Sequence, residues 1–248
     1  YHTDPEEFAA ACAELTDIGA AYIGGCCGTT PAFIEALRLK LAGKKAVWTE
    51  KTVHGICSAS EVCAFGQGVR VIGERINPTG KKRFQQALRE KDMNYIVAQA
   101  VEQADAGAQI LDINVGLPGI DEADMMRRVV TAISGAVNLP LQIDSSNPAA
   151  IEAGLRAAPG KCLINSVNAS ESSLQTVLPL AKKYGAAIVG LALGESGLPS
   201  TSDERMAFAQ KIVDAAVNSP DAEVLLLDGA DHTFCVFSGD DTVLKTLV

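Results

Sequence analysis

The chain has 248 residues, 48% of them hydrophobic and 21% charged, with a formal net charge of −9. That is ordinary globular composition with enough apolar side chains for a sizeable core, which excludes an intrinsically disordered chain. The acidic balance argues against a nucleic-acid groove, where clustered Lys and Arg displace counterions from phosphate, and no apolar run approaches the roughly 20 residues of a membrane span.

The start, Tyr1-His2-Thr3-Asp4-Pro5-Glu6-Glu7, has neither the basic nor the apolar region of a secretory signal, and without an initiator Met it reads as the start of a fragment. Phe8, Ala11, Cys12 and Leu15 share one face of a predicted helix over about 5–18. Ala20-Ala21-Tyr22-Ile23 reads as a short buried strand, running into Gly24-Gly25-Cys26-Cys27-Gly28-Thr29-Thr30-Pro31. Thr30 can cap and Pro31 can open a helix reaching about Leu41. One strand and two helices bury too little surface to stand alone, so this piece belongs to a larger domain.

Periodicity is lost over 43–68, which holds Trp48, His54, Cys57 and Cys63 and reads as a linker that packs against its neighbours. Regular βα alternation begins at Arg70, with predicted helices at about 82–106 (broken near Glu90 to Met93), 121–136, 148–158, 170–184 and 203–217. The triplet Lys81-Lys82-Arg83 reads as a solvated helix start. Six strands are predicted from Val71 to Leu227, and a short one at Phe234 to Phe237 could follow. A closed barrel needs eight, so the fold class is α/β of the (β/α)8 TIM-barrel type, here incomplete.

Four of the apolar runs end in polar clusters: 71–77, 110–114, 141–146 and 163–168. Asn77, Asn114, Asp144 and Asn165 lie 37, 30 and 21 residues apart in succession, room for a crossover helix each time. Barrel enzymes place their chemistry where parallel strands finish, so these groups are expected to converge on one pocket. Carboxylates and amides suit a flat heterocycle such as a pterin: a carboxylate accepts two N–H bonds from an amino-amidine edge, and Asn satisfies carbonyl and ring nitrogens. Asp144 and Asn165 lead, then Asp112 and Asn114; Ser146, Asn147 and Ser170 read as caps, and Glu74 with Arg75 as either an ion pair or a ligand contact.

Cys26 and Cys27 between glycines can both reach one Zn²⁺, or pack as two small hydrophobes. Seven cysteines in a chain of this size do not resemble a secreted disulfide framework and fit reduced thiols in a cytoplasm. His2, His54 and His232 show no metal spacing.

At these residues the chain resembles the cobalamin-dependent methionine synthases, at the junction of their homocysteine-binding and pterin-binding barrels. The segments 72–80, 111–116, 142–146 and 164–168 resemble the pterin-binding pattern, and 24–29 resembles the final strand of the homocysteine domain, where that family carries two of three zinc cysteines. The resemblance implies residues 1–42 as the end of the zinc domain, 43–68 as linker and 69–248 as a truncated pterin-binding domain. It implies that Asp144 and Asn165 hold the pterin of 5-methyltetrahydrofolate with Asn114, Asp112, Glu74, Asn77, Asn168 and Asp228 around it. Cys26 and Cys27 would hold zinc. Methyl transfer would run from folate to cobalamin and then to zinc-bound homocysteine.

Departures are visible. The third zinc cysteine would lie on an earlier strand, the late-barrel Asn beyond the region of similarity, and the Asp-x-His-x-x-Gly loop of the cobalamin module is missing, since Asp231 and His232 are adjacent. Gly194 stands where relatives carry Asp or Asn, and their Asp-Pro-Leu is Asp228-Gly229-Ala230 here. The alternatives are a stand-alone folate:corrinoid methyltransferase or dihydropteroate synthase-like enzyme, and an inactive fragment with weak folate binding. The Gly-Gly-Cys-Cys-Gly unit argues against the first of these.

Overall fold

The computed structural model describes residues 3–45, 54–66 and 68–217, and the backbone of two further strands at 223–227 and 234–236. The chain divides into two compact units, Tyr1–Val53 and His54–Val248. Trp48, His2, His232 and Asp228 lie outside the described residues.

The first unit is a helix pair, α1 (Pro5–Asp17) and α2 (Pro31–Leu41). Asp4 caps α1 by accepting from the Glu7 amide at 2.8 Å, and Pro5 supplies a first residue that needs no donor. Thr30 and Pro31 stand at the corresponding positions of α2, though the Thr30 hydroxyl makes no cap bond. Phe8 meets Phe33 edge to face at 5.5 Å, and Lys44 bonds the Ala13 carbonyl at 2.9 Å and pairs with Asp17 at 3.2 Å. The strand expected at 20–23 does not form: the segment is irregular and Tyr22 is 91% exposed. A strand needs a ladder partner, and the described residues of this unit contain only helices.

The second unit opens with an antiparallel hairpin, β1 (Gly55–Cys57) and β2 (Val62–Ala64), in the segment read from sequence as linker. Alternation follows: β3 (Ile72–Ile76), α3 (Lys82–Glu90), α4 (Met93–Asp105), β4 (Ile110–Asn114), α5 (Glu122–Ser134), β5 (Leu141–Asp144), α6 (Pro148–Ala157), β6 (Leu163–Asn168), α7 (Glu171–Tyr184), β7 (Ala187–Leu191), α8 (Ser202–Val217) and β8 (Glu223–Leu227). β3 to β8 pair in sequence order and in parallel, and β9 (Phe234–Val236) joins antiparallel. This is the TIM-barrel type of sheet, with six parallel strands among the described residues.

The break between α3 and α4 is built from three features. Lys91 takes a left-handed φ of 56°, Asp92 caps α4 by accepting from the Tyr95 amide at 3.1 Å, and Arg83 bonds Asp92 at 2.6 Å while lying 4.2 Å over the Tyr95 ring. Among the described residues no helix is long and apolar enough to cross a membrane.

Strand parity sorts the side chains. Leu111, Ile113, Leu141, Ile143, Ile164 and Ile188 face the helices and join Phe84, Met126 and Ile133 in the main core. The alternate residues Ile72, Ile110, Leu163, Ala187 and Val189 turn to the opposite face, where they close on Ile56, Cys63 and Phe65 of the hairpin. The hairpin thus plugs the amino-terminal end of the sheet. It is held by Cys57 N–H to the Lys161 carbonyl at 3.0 Å, by the Lys161 amide to the Cys57 sulfur at 3.3 Å, and by the Ser58 hydroxyl to Asn138 at 2.9 Å.

Gly160 sits against this plug: a Cβ there would come 2.1 Å from the Cys57 carbonyl oxygen, rigid backbone that cannot turn aside. Gly160→Ala should therefore lower stability by about 1–3 kcal/mol, the usual cost of overpacking. Gly135→Ala, whose methyl would find only ordinary 3.6 Å contacts, should change little. Urea midpoints of the two variants check this; equal midpoints would mean the hairpin is not seated as described.

Candidate functional site

Register brings the polar strand ends together. Asn114 pairs with Asp144 and Asp144 with Asn165, so the three lie side by side across β4, β5 and β6; one step below, Asp112 pairs with Gln142. Because side chains alternate along a strand, all five share the face that carries Ile110 and Leu163. Asn114 donates to Asp144 Oδ2 at 2.9 Å and accepts from the Gly116 amide at 2.9 Å, which fixes its orientation. Gln142 donates its Nε2 to Asp112 Oδ1, and these two side chains are only 5% and 3% exposed.

Both carboxyls hold their protons more tightly than usual. Asp112 is pushed up to about 7 by its burial first and by the charge of Asp144 second; the Gln142 and Asn165 amides oppose the rise and Glu74 adds to it. Asp144 is raised chiefly by burial, against the Asn114 amide, with Glu74 and Glu122 contributing repulsion. The Asp112 carboxyl also hydrogen-bonds Asp144 and favours its ionised form. Two carboxyls this close in a dry setting do not both ionise readily.

Above this layer opens a cavity of about 530 Å³, lined by Asp144, Asn165 and Asn168 and by the hydroxyls of Ser145, Ser146 and Ser173. That volume is in the range of small-molecule sites. The remaining candidates are arranged around it or serve locally. Asn168 reaches the cavity, but its Oδ1 accepts from the Ser170 amide at 2.9 Å and so also shapes the turn into α7. Glu74 takes Lys81 as its ion-pair partner at 3.2 Å and accepts from Asn77 at 2.7 Å; Asn77 in turn accepts from the Thr79 amide. Asn147 and Ser170 cap α6 and α7, as read from sequence. Asp228 falls outside the described residues.

Two groups escaped sequence reasoning. Gln142 lies inside an apolar run and looks like its polar exception; the signal was its parity with Asp144, which turns it to the same face. Glu122, at the start of α5, accepts from the Ser145 hydroxyl and places a further charge near Asp144. No strand pattern could have shown it. Gly194, where the resemblance predicts Asp or Asn, is closed off by Phe208: a Cβ would lie 2.6 Å from the ring.

In the first unit Cys26 and Cys27 are exposed, with their sulfurs 3.8 Å apart. Two thiolates on one tetrahedral zinc, each at about 2.3 Å, stand about 3.8 Å apart, so the pair fits as two ligands. Among the described residues no group of three or more His, Cys, Asp or Glu could hold a metal.

Comparison with known proteins meets the same regions. The family model described as pterin binding enzyme matches residues 73–227, and that described as homocysteine S-methyltransferase matches residues 1–41. Methionine synthase of Mycobacterium tuberculosis (strain ATCC 25618 / H37Rv) is 31% identical over 249 residues, 96% of this chain and 21% of that protein. Methionine synthase of Mycobacterium leprae (strain TN) is 29% identical over 264 residues, 99% of this chain and 22% of that protein. The chain thus spans about a fifth of the length of these relatives. Among solved structures, Xanthomonas albilineans dihydropteroate synthase with 4-aminobenzoic acid has a TM-score of 0.50 at 21% identity, covering 68% of this chain and 61% of that one, a likeness of fold.

The Asp112 environment has a consequence for stability. A carboxyl whose folded-state pKa is raised from 3.8 to about 7 favours the folded state below its unfolded value and loses that contribution as pH rises through the folded one. Each factor of ten in proton affinity is about 1.4 kcal/mol. Urea denaturation should find the chain less stable at roughly pH 8 than at roughly pH 5, and Asp112→Asn should remove most of that difference. A variant that loses as much stability as wild type over the same interval would show that Asp112 titrates elsewhere.

Proposed function

Because this chain belongs to the family of pterin binding enzymes, we propose that it binds the pterin of 5-methyltetrahydrofolate at the ends of β4, β5 and β6, as one part of a methyltransferase that makes methionine and tetrahydrofolate. The observation that carries this reading is the in-register row Asn114, Asp144 and Asn165, of which Asp144 and Asn165 line a cavity of about 530 Å³. Asp144 offers the carboxylate that an amino-amidine edge requires, Asn165 an amide for the ring carbonyl and nitrogens, and Asn114 holds Asp144 in place. Asn168 and the neighbouring hydroxyls line the wall. Glu74 and Asn77 close the β3 side, with Lys81 offsetting part of the accumulated negative charge.

Methyl transfer from N5 is difficult because a tertiary amine leaves poorly until it is protonated or hydrogen-bonded. What the described residues supply is position: they fix the ring edge far from N5 and leave the methyl group toward the open mouth of the sheet. On this reading cobalamin is the methyl acceptor, presented by another module of the parent enzyme.

The first unit adds the second half of the proposal. Its match to the homocysteine S-methyltransferase model over residues 1–41 supports Cys26 and Cys27 as two of the thiolates that would hold zinc, whose chemistry is to keep a substrate thiol deprotonated. The same match weighs against a stand-alone folate:corrinoid methyltransferase or a dihydropteroate synthase, neither of which needs a thiol-activating unit. On this reading residues 1–42 are the end of a homocysteine-binding domain and 69–248 belong to the pterin-binding domain.

Calorimetric titration of the full chain with 5-methyltetrahydrofolate should show saturable binding, weakened about 10- to 100-fold by Asp144→Ala, the effect of losing charged hydrogen bonds. Heat-free injections into folded wild-type protein would contradict the proposal. For the thiol pair, zinc captured by the chain should be displaced readily by a chromogenic chelator, and Cys26→Ser with Cys27→Ser should abolish capture. Retention of metal by that double variant would take the cysteines out of the account.

A further inference from the structure

Asp112 is a buried carboxyl that the proposed binding row does not use. It is 3% exposed and does not line the cavity; it lies one register step below the row, and its Oδ1 already accepts from Gln142. The layer it belongs to is short of donors. Two carboxyls and the buried Gln142 Oε1 are all acceptors, and Gln142 Oε1 has no hydrogen-bond partner. The charges around Asp112 offer little relief: Glu74 faces it from β3, Asp144 from β5 with Glu122 of α5 beyond, and β6 contributes only the neutral Asn165 amide. Lys81 is engaged with Glu74 at 3.2 Å.

We propose that Asp112 is a positioning residue that keeps a proton beneath the strand ends and donates it as a hydrogen bond to Asp144, so that Asp144 meets the pterin ionised and fixed. The inference rests on the functional reading above for its ligand, and on geometry for the proton. Of two adjacent carboxyls sharing one proton, the more buried one keeps it, because the charge costs less where Asn114 donates at 2.9 Å and solvent reaches through the cavity. No bond is made or broken; the proton stays on Asp112 and orders its neighbour. When Asp112 loses that proton, the donor disappears and a second negative charge arises directly under the row. The buried environment that raises its proton affinity to about 7 sets this loss near neutrality.

The test is the pH profile of 5-methyltetrahydrofolate binding to the full chain. Wild-type affinity should fall about 25-fold between roughly pH 6.5 and 8.5, following the protonated fraction of Asp112. Asp112→Asn keeps an uncharged donor, so its affinity should vary less than about twofold over the same interval, while Asp112→Ala should bind weakly throughout. A structural role alone would lower the stability of Asp112→Asn without flattening its profile. An Asp112→Asn profile parallel to wild type, or a flat wild-type profile, overturns the proposal. Absence of any binding by wild type defeats the functional reading instead. The proton is then read from the carboxyl ¹³C titration of ligand-free wild type, in which Asp112 titrating near neutrality sustains the inference and titrating in the ordinary carboxylate range overturns it.

Discussion

The structure depends on the register of three parallel strands. Asn114, Asp144 and Asn165 share one rung, and Asp112 and Gln142 share the rung below. A slip of one residue in any of these strands would turn its polar side chains toward the helices and its isoleucines toward the cavity. The apolar partners prevent it: Ile113, Ile143 and Ile164 are fully buried against the helix layer, and Ile110, Leu163 and Val189 close on the hairpin plug. The site is therefore held from both faces by hydrophobic packing, and its polar groups need not stabilise the fold that positions them.

That arrangement permits a concentration of acceptors that would be unfavourable elsewhere. Glu74, Asp112, Asp144 and Glu122 gather near one sheet end, with Lys81 bonded to the outermost of them. Burying acids without matching cations raises their proton affinity, and burial acts in this direction on both aspartates. A pterin edge, rich in N–H donors, is the complement such a row lacks. The chain belongs to the family of pterin binding enzymes and its residues 1–41 match the homocysteine S-methyltransferase model, so the proposed chemistry is distributed over separate units.

Much of the second unit was legible before any coordinates. Near-continuous apolar runs ending in Asn and Asp marked buried parallel strands and their carboxyl ends, and Asn147-Pro148 and Ser170 marked helix starts by chemistry that acts within one turn. The break after Glu90 was readable for the same local reason. Partnership over long distances was not. The strand expected at 20–23 has apolar residues but no ladder to join, and the hairpin at 55–64 owes its place to Lys161 and Asn138, 104 and 80 residues further along the chain from the groups they bond. The sequence offers Arg75, its neighbour, as the ion-pair partner of Glu74, whereas the partner in the structure is Lys81, seven residues on. At the site itself the row was foreseeable from the strand ends, but its two layers were not, because only pairing register shows that Asp112 lies beneath Asp144 rather than beside it.

The central claim is that one row of strand-end side chains meets one planar ligand, and a crystal structure of the full chain with 5-methyltetrahydrofolate tests it most directly. The pterin amino-amidine edge should lie about 3 Å from the Asp144 carboxylate, with Asn165 within hydrogen-bond distance of the same ring. Density for the ligand elsewhere, with the cavity above Asp144 holding only solvent, would contradict it.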